Sequence, residues 1–254
     1  MKHSLLWLLA SGLIVGCAPT LAPHIPYLPT VRTKGEVEAG GTIGRSSRQL
    51  IVGYQATDRL VLNSSLLFLG NSQTSKRYLS GEVGAGYYWP SAAGRWRLGG
   101  HAGLVYGSGR SGTDNFCLDK CDDLTSKSYS SRYAYAYVQP AAMLVTDEAN
   151  VGFGLRIGRT HYYKLDENIY MFSAMSGRRD STSTVNHAGH GSTFVQPVMQ
   201  IQYRVYPWMA VSGGMGMQFF IGRRTPLNDM SPFIGQVGLH FVLGAKPLAA
   251  GAAQ

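Results

Sequence analysis

The feature that most constrains this chain is the alternation of its connections. From Gly35 onward, long apolar-and-glycine stretches are joined in turn by very short links and by longer polar ones. The short links fall at 57–59, 91–94, 146–149 and 206–207. The longer ones fall at 44–47, 70–76, 108–131, 164–191 and 222–229. Stretches of roughly 8–14 residues, with tight turns at one end and extended loops at the other, are the pattern of an antiparallel barrel that crosses a bilayer.

The spacing predicts about ten strands: 35–43, 48–55, 60–69, 77–89, 95–107, 132–145, 150–163, 192–205, 208–221 and 231–243. Several alternate with the period of two that defines a strand. Val151, Phe153, Leu155 and Ile157 oppose Gly152, Gly154, Arg156 and Gly158. Phe233, Val237, Leu239 and Phe241 oppose Gln236 and His240. Two Gln-Pro repeats, Tyr137-Val138-Gln139-Pro140-Ala141 and Phe194-Val195-Gln196-Pro197-Val198, are read as local backbone geometry, because proline in a paired strand usually marks a bulge.

Alternation does not say which face looks outward. Composition decides that: the charged fraction is 15%, against about 25% in ordinary soluble domains. A polar face made of Gly, Ser and Gln is too poorly charged for a solvated surface. Trp89, Trp96 and Trp208, with Tyr87, Tyr88, Tyr203 and Tyr206, gather at the short turns as one interfacial aromatic belt. Tyr106, Tyr133, Tyr162, Tyr163, Phe219 and Phe220 form a second near the long links. The expected fold is therefore all-β, a closed antiparallel up-and-down transmembrane β-barrel of about ten strands. A lipid-tethered soluble β-barrel binding a small ligand stays open as an alternative.

Residues 1–17 read as an export signal, with Lys2 as the positive start and an apolar region over 5–15. Ile14-Val15-Gly16-Cys17 resembles the lipobox of bacterial lipoproteins. That resemblance implies lipidation of Cys17, with a plain cleaved signal as the alternative. Ala18, rather than Asp, after the cysteine implies transfer to the outer membrane. Prolines at 19, 23, 26 and 29 predict an extended tether over 18–34. The barrel is assigned to 35–244, and 245–254 to a disordered tail. An even strand number puts both barrel ends, and a lipid on Cys17, on the periplasmic side.

The inward set predicted from alternation includes Glu36, Glu38, Glu82, Arg97, His101, Arg156, Arg204, Gln139, Gln196, Gln200, Gln202, Gln236 and His240. Acids and guanidiniums in similar number suggest a paired network filling a small lumen, with a narrow solute path as the alternative. More than half of the 23 Lys and Arg residues fall on the long-link side. Arg45, Arg48, Lys76, Arg77, Arg110, Arg132, Arg159 and Lys164 are among them. Arg178, Arg179, Arg223 and Arg224 are the expected contacts to lipopolysaccharide phosphates, since arginine pairs with phosphate bidentately. The expected partners are thus outer-membrane lipids and lipopolysaccharide. Export rules out nucleic acid as the reason for the net charge of +9.

Cys117 and Cys121 are expected to form a disulfide, export being into an oxidising compartment. No metal site or cofactor is expected, and His187 and His190 are read as polar loop residues. The chain resembles bacterial outer-membrane β-barrel domain proteins, a class too broad to imply an activity. It is similar to the omptin proteases in strand number and loop asymmetry, but their rim acidic pairs and Asp-x-His arrangement have no counterpart here. No catalytic residue is assigned, so a lipid hydrolase or protease is only the alternative. The expected function is a non-enzymatic outer-membrane barrel acting structurally or through its loops, with a porin-like passive channel as the competing reading.

Overall fold

The computed structural model describes residues 24–44, 47–71, 76–90, 95–114, 123–173, 179–221 and 233–244. Among them run β1 (Val37–Gly44), β2 (Ser47–Gln55), β3 (Leu60–Asn71), β4 (Lys76–Pro90), β5 (Trp96–Asp114), β6 (Asp123–Val145), β7 (Ala149–Ser173), β8 (Arg179–Asn186), β9 (Gly191–Tyr206), β10 (Met209–Met217), β11 (Phe219–Ile221) and β12 (Phe233–Leu243).

All pairings are antiparallel, and the sheet closes where β12 meets β1, from Val37↔Leu243 to Gly44↔Gln236. β7 changes partner along its length. Its first part, Ala149–His161, pairs with β9, whereas Asp166–Phe172 pairs with β8. β8 therefore lies outside the barrel wall, as one arm of an outer hairpin. β10 and β11 lie in one register on β9, interrupted at Gln218. The wall is a closed ten-stranded barrel.

Its outer face is apolar. Val237 is 66% exposed, Ile43 63% and Leu104 61%, while Glu38, Gln139, Arg156 and His240, on the other face, are 0% exposed. A closed sheet with aliphatic groups outside and charges inside suits hydrocarbon and not water. This overturns the soluble-domain reading. At the short-turn end Trp89, Trp96 and Trp208 are exposed, and Trp208 stacks on Tyr206 and Phe241 at 5.5 and 6.1 Å.

Four expectations need correction. Tyr88, Tyr133 and Tyr162 are not belt residues. They are buried inside, because strand alternation turns each away from its exposed neighbour Tyr87, Arg132 or Tyr163. Tyr133 and Tyr162 join Tyr135, Tyr137, Leu165 and Phe194 in a cluster within the lumen. The links at 108–131 and 164–191 are largely hairpins, paired out to Asp114↔Ser126 and Phe172↔Arg179. Beyond a bilayer both faces of a strand meet water, so Ser, Thr and Tyr sustain a ladder without apolar alternation.

The prolines make no bulge. Pairing of β6 with β7 lapses at Gln139 and Pro140 and resumes in the same register, Val138↔Ile157 and Ala141↔Gly154. The fourth correction concerns the tether. Residues 24–31 of the expected tether pass inside the barrel, where His24, Tyr27, Leu28 and Val31 are at most 2% exposed, while Thr33 and Lys34 are exposed.

Candidate functional site

The segment 24–32 fills the barrel as a plug, running from the short-turn mouth at Arg32 into the middle of the lumen at His24. Arg32 anchors the mouth, its guanidinium donating to the Thr146 carbonyl (2.6 Å) and to Asn150 Oδ1 (2.9 Å). Glu36 accepts from Arg32 N at 2.6 Å and from the Thr33 hydroxyl. One level deeper, Arg97 Nη1 donates to the Val31 carbonyl at 2.6 Å. Glu38 Oε2 then receives the Tyr27 hydroxyl (2.6 Å) and Thr30 N (3.1 Å). Tyr27 stacks on His101 with 5.6 Å between ring centres.

Above this, glutamines hold the plug by its backbone. Gln139 Nε2 donates to the Tyr27 carbonyl (3.1 Å), and Gln196 Nε2 to the His24 carbonyl (2.8 Å). Gln49 both accepts from Ile25 N and donates to Ile25 O, each at 3.2 Å. An amide side chain meeting a backbone amide this way replaces the ladder partner that an extended chain otherwise lacks. Each such bond contributes about 1 kcal/mol net.

The innermost charges are Glu82 and Arg156. Arg156 binds Glu82 through two parallel bonds, Nη1–Oε2 at 2.9 Å and Nη2–Oε1 at 3.0 Å, and its Nε donates to Gln139 Oε1. Its guanidinium lies 3.8 Å from the centre of the Tyr137 ring, and Tyr137 also donates to Glu82 at 2.6 Å. His24 completes the group, 3.6 Å from Glu82 and hydrogen-bonded to Ser65 and Ser80 at 3.1 and 2.7 Å. Buried ions are tolerable only when paired and fully hydrogen-bonded, as here.

Of the inward set predicted from sequence, Glu36, Glu38, Glu82, Arg97, His101, Arg156, Gln196, Gln200 and His240 are buried in the lumen. Arg204 is half-buried, beside Arg32 near the short-turn mouth. Cys17, Cys117, Cys121, Arg178, Arg223 and Arg224 lie outside the described residues, and the Arg179 side chain is likewise undescribed. His187 and His190 sit in the turn between β8 and β9, with His187 Nε2 at 3.3 Å from Glu167 Oε2.

One arrangement has the order of a nucleophile relay. Ser212 Oγ lies 2.8 Å from His240 Nε2, and His240 Nδ1 lies 2.6 Å from Glu38 Oε1. These distances suit a serine activated by a base that is itself oriented by an acid. However, Ser212 is 4% exposed, and the other two residues are fully buried. The remaining Glu38 oxygen is occupied by the plug. The relay ties β10, β12 and β1 together inside the filled lumen.

No protein-family model matches the chain, and no curated protein is similar to it at a significant level. Among solved structures it is similar to the outer membrane protease OmpT from Escherichia coli: 9% identity, 82% of this chain and 90% of that one, TM-score 0.42. It is also similar to the translocator domain of autotransporter NalP from Neisseria meningitidis: 10% identity, coverage 81% and 86%, TM-score 0.39. A third is the N-terminal β-barrel domain of Pseudomonas aeruginosa OprF: 12% identity, coverage 82% and 95%, TM-score 0.32. All three are bacterial outer-membrane barrels. The assignment of this chain as a barrel rests on its own closed ladder and apolar wall.

Sequence reasoning missed the plug and its clamps. The signal was present in Ile25, Tyr27, Leu28 and Val31, since a solvated tether has no use for four such side chains in a row of prolines. Excess lumen glutamine was the second sign: a wall needing only solvation has no reason to offer so many amides.

Proposed function

We propose that this protein is an integral barrel of the bacterial outer membrane, sealed by its own amino-terminal segment, which works through its outer hairpins and not by catalysis or by passing solutes. Short turns face the periplasm and long hairpins the exterior in this reading. The observation that carries it is the plug: residues 24–31 occupy the lumen and are bonded to Glu38, Gln49, Arg97, Gln139 and Gln196 on five different strands. Outer hairpins built by β5–β8 extend the wall into solution and offer a polar surface of Ser, Thr and Tyr.

Planar bilayers test the seal. The intact protein should show no steady conductance, and a Tyr27→Gly/Leu28→Gly/Val31→Gly variant should show discrete channel steps. Steady conductance from the intact chain would replace this reading with the passive channel.

A further inference from the structure

On the outside of the barrel, β4 to β7 carry a row of cations at the upper edge of the apolar wall. Arg77 and Arg110 are direct cross-strand partners, and so are Arg132 and Lys164. All four are exposed and share the outward face with Leu79, Tyr106 and Leu104 immediately below them. Together with Ser108 and Ser130 they line an open groove of about 370 Å³. Like charges directly opposite one another in a sheet repel. Among the described side chains, two such pairs side by side are answered by one acid, Asp166, which bonds Lys164 at 3.0 Å. Among the described side chains the row keeps an excess of positive charge, and its position says what can balance it: headgroup depth, directly above a wall that meets acyl chains.

We propose that this groove binds the phosphorylated sugar headgroup of an outer-leaflet lipid, its acyl chains lying on Leu79, Leu104 and Tyr106. Three guanidiniums can each grip a phosphate through two parallel N–H bonds, and Lys164 adds a point charge. Ser108 and Ser130 supply hydroxyls to the headgroup between the two cationic pairs. A headgroup with two phosphates spans both pairs at once, which a single free phosphate cannot do. The inference rests on the reading of the protein as an outer-membrane barrel.

The test uses the full-length protein in nanodiscs with or without lipid A, read by lipid A retained per barrel. The Arg77→Gln/Arg110→Gln/Arg132→Gln/Lys164→Gln variant should retain less by more than about tenfold, because several charge-assisted hydrogen bonds to phosphate disappear together. An Arg59→Gln/Arg95→Gln control, at the opposite end of the wall, should retain as much as the parent. Arg→Lys exchange at 77, 110 and 132 keeps the charge and should give an intermediate loss, which guards against a folding defect in the quadruple variant. Heat-modifiable migration reports folding and insertion separately. A barrel that fails to insert sinks the outer-membrane reading. One that inserts but retains lipid A equally in parent and variant overturns the headgroup site. Displacement of lipid A by millimolar inorganic phosphate would also overturn it, by showing a small-anion site.

Discussion

His240 Nδ1 lies 2.6 Å from Glu38 Oε1 across the seam where the last strand meets the first. The ring reaches across because Gly40 faces His240 in the register; a Cβ at 40 would sit 2.6 Å from Nδ1. The second Glu38 oxygen holds the plug at Tyr27 and Thr30. Closure of the barrel and closure of its lumen therefore share one carboxylate. Glu38→Ala should weaken both, since it leaves His240, the Tyr27 hydroxyl and Thr30 N–H without an acceptor, each at about 1–3 kcal/mol. The check is the urea midpoint of the heat-modifiable band, together with conductance. A variant as stable and as tight as the parent would contradict the shared role.

Gly53 makes the space that Tyr27 occupies. A Cβ there would lie 2.0 Å from the Tyr27 hydroxyl oxygen and 2.7 Å from its ring carbon. Gly53→Ala should therefore push Tyr27 off Glu38 and loosen the plug while β2 stays paired. Tyr27→Phe alone costs about 1 kcal/mol, the worth of its hydrogen bond. Combined with Gly53→Ala it should add less than the sum, because the hydroxyl that clashes is already gone. Additive effects in urea unfolding would show that the two residues do not meet.

The Glu82–Arg156 pair sets up a different kind of test. Arg156→Met strands Glu82 in the lumen and should cost about 3–5 kcal/mol. Glu82→Leu with Arg156→Met removes both charges and should recover much of that loss, although the bonds to Tyr137 and Gln139 go with them. Unfolding of the single and double variants in the same detergent decides it: a double variant as unstable as Arg156→Met alone would mean that the charge was not the problem.

What was legible in the sequence follows from where each pattern had a physical cause. Phe153 against Arg156, or Leu239 against His240, showed strand, face and lipid contact together, because hydrocarbon outside and polar lumen inside enforce alternation. Hairpins above the bilayer carry no such constraint, so Ser128 opposite Asn168 and Tyr129 opposite Glu167 looked like loop although they pair. The lumen acids and arginines were legible as an inward set, but their bonds were not, since alternation fixes the face and leaves the partner open. The plug was hidden for another reason. Prolines at 26 and 29 favour extended chain whether it runs through water or through a lumen, and the apolar Ile25, Tyr27, Leu28 and Val31 among them hinted at the second. Alternation places Gln139 and Gln196 of the Gln-Pro repeats inward, but a period of two does not reveal that they hold the plug backbone.

Acid should loosen the outer hairpin before the barrel. Glu167 accepts from Lys127 (2.9 Å) and Tyr129 (3.2 Å) and meets His187, joining β6, β7 and the turn after β8. Burial raises its carboxyl, but the bonds from Lys127 and His187 outweigh that and hold it below its ordinary value. A carboxylate depressed in the folded state contributes stability above its unfolded value and loses it as pH falls through the folded one. Amide exchange or protease nicking of the hairpin should therefore increase as pH drops below the ordinary carboxylate range. Glu167→Gln should show the looser hairpin at every pH.

The Ser212–His240–Glu38 line offers the most direct test of whether this barrel does chemistry. Its distances, 2.8 and 2.6 Å, are those of a working relay, but a relay needs more than its own three residues. A substrate carbonyl must come within reach of Ser212, and N–H donors must be free to meet the oxyanion. β10 is paired on both sides around Ser212, with β12 and with β9, which commits its backbone donors to the ladder. Removing the plug would admit solvent but would not release those donors. A fluorophosphonate probe should therefore leave Ser212 unlabelled both in the intact protein and in the Tyr27→Gly/Leu28→Gly/Val31→Gly variant. Labelling of the opened variant that Ser212→Ala abolishes would turn the strut into a hydrolase kept silent by its own amino terminus.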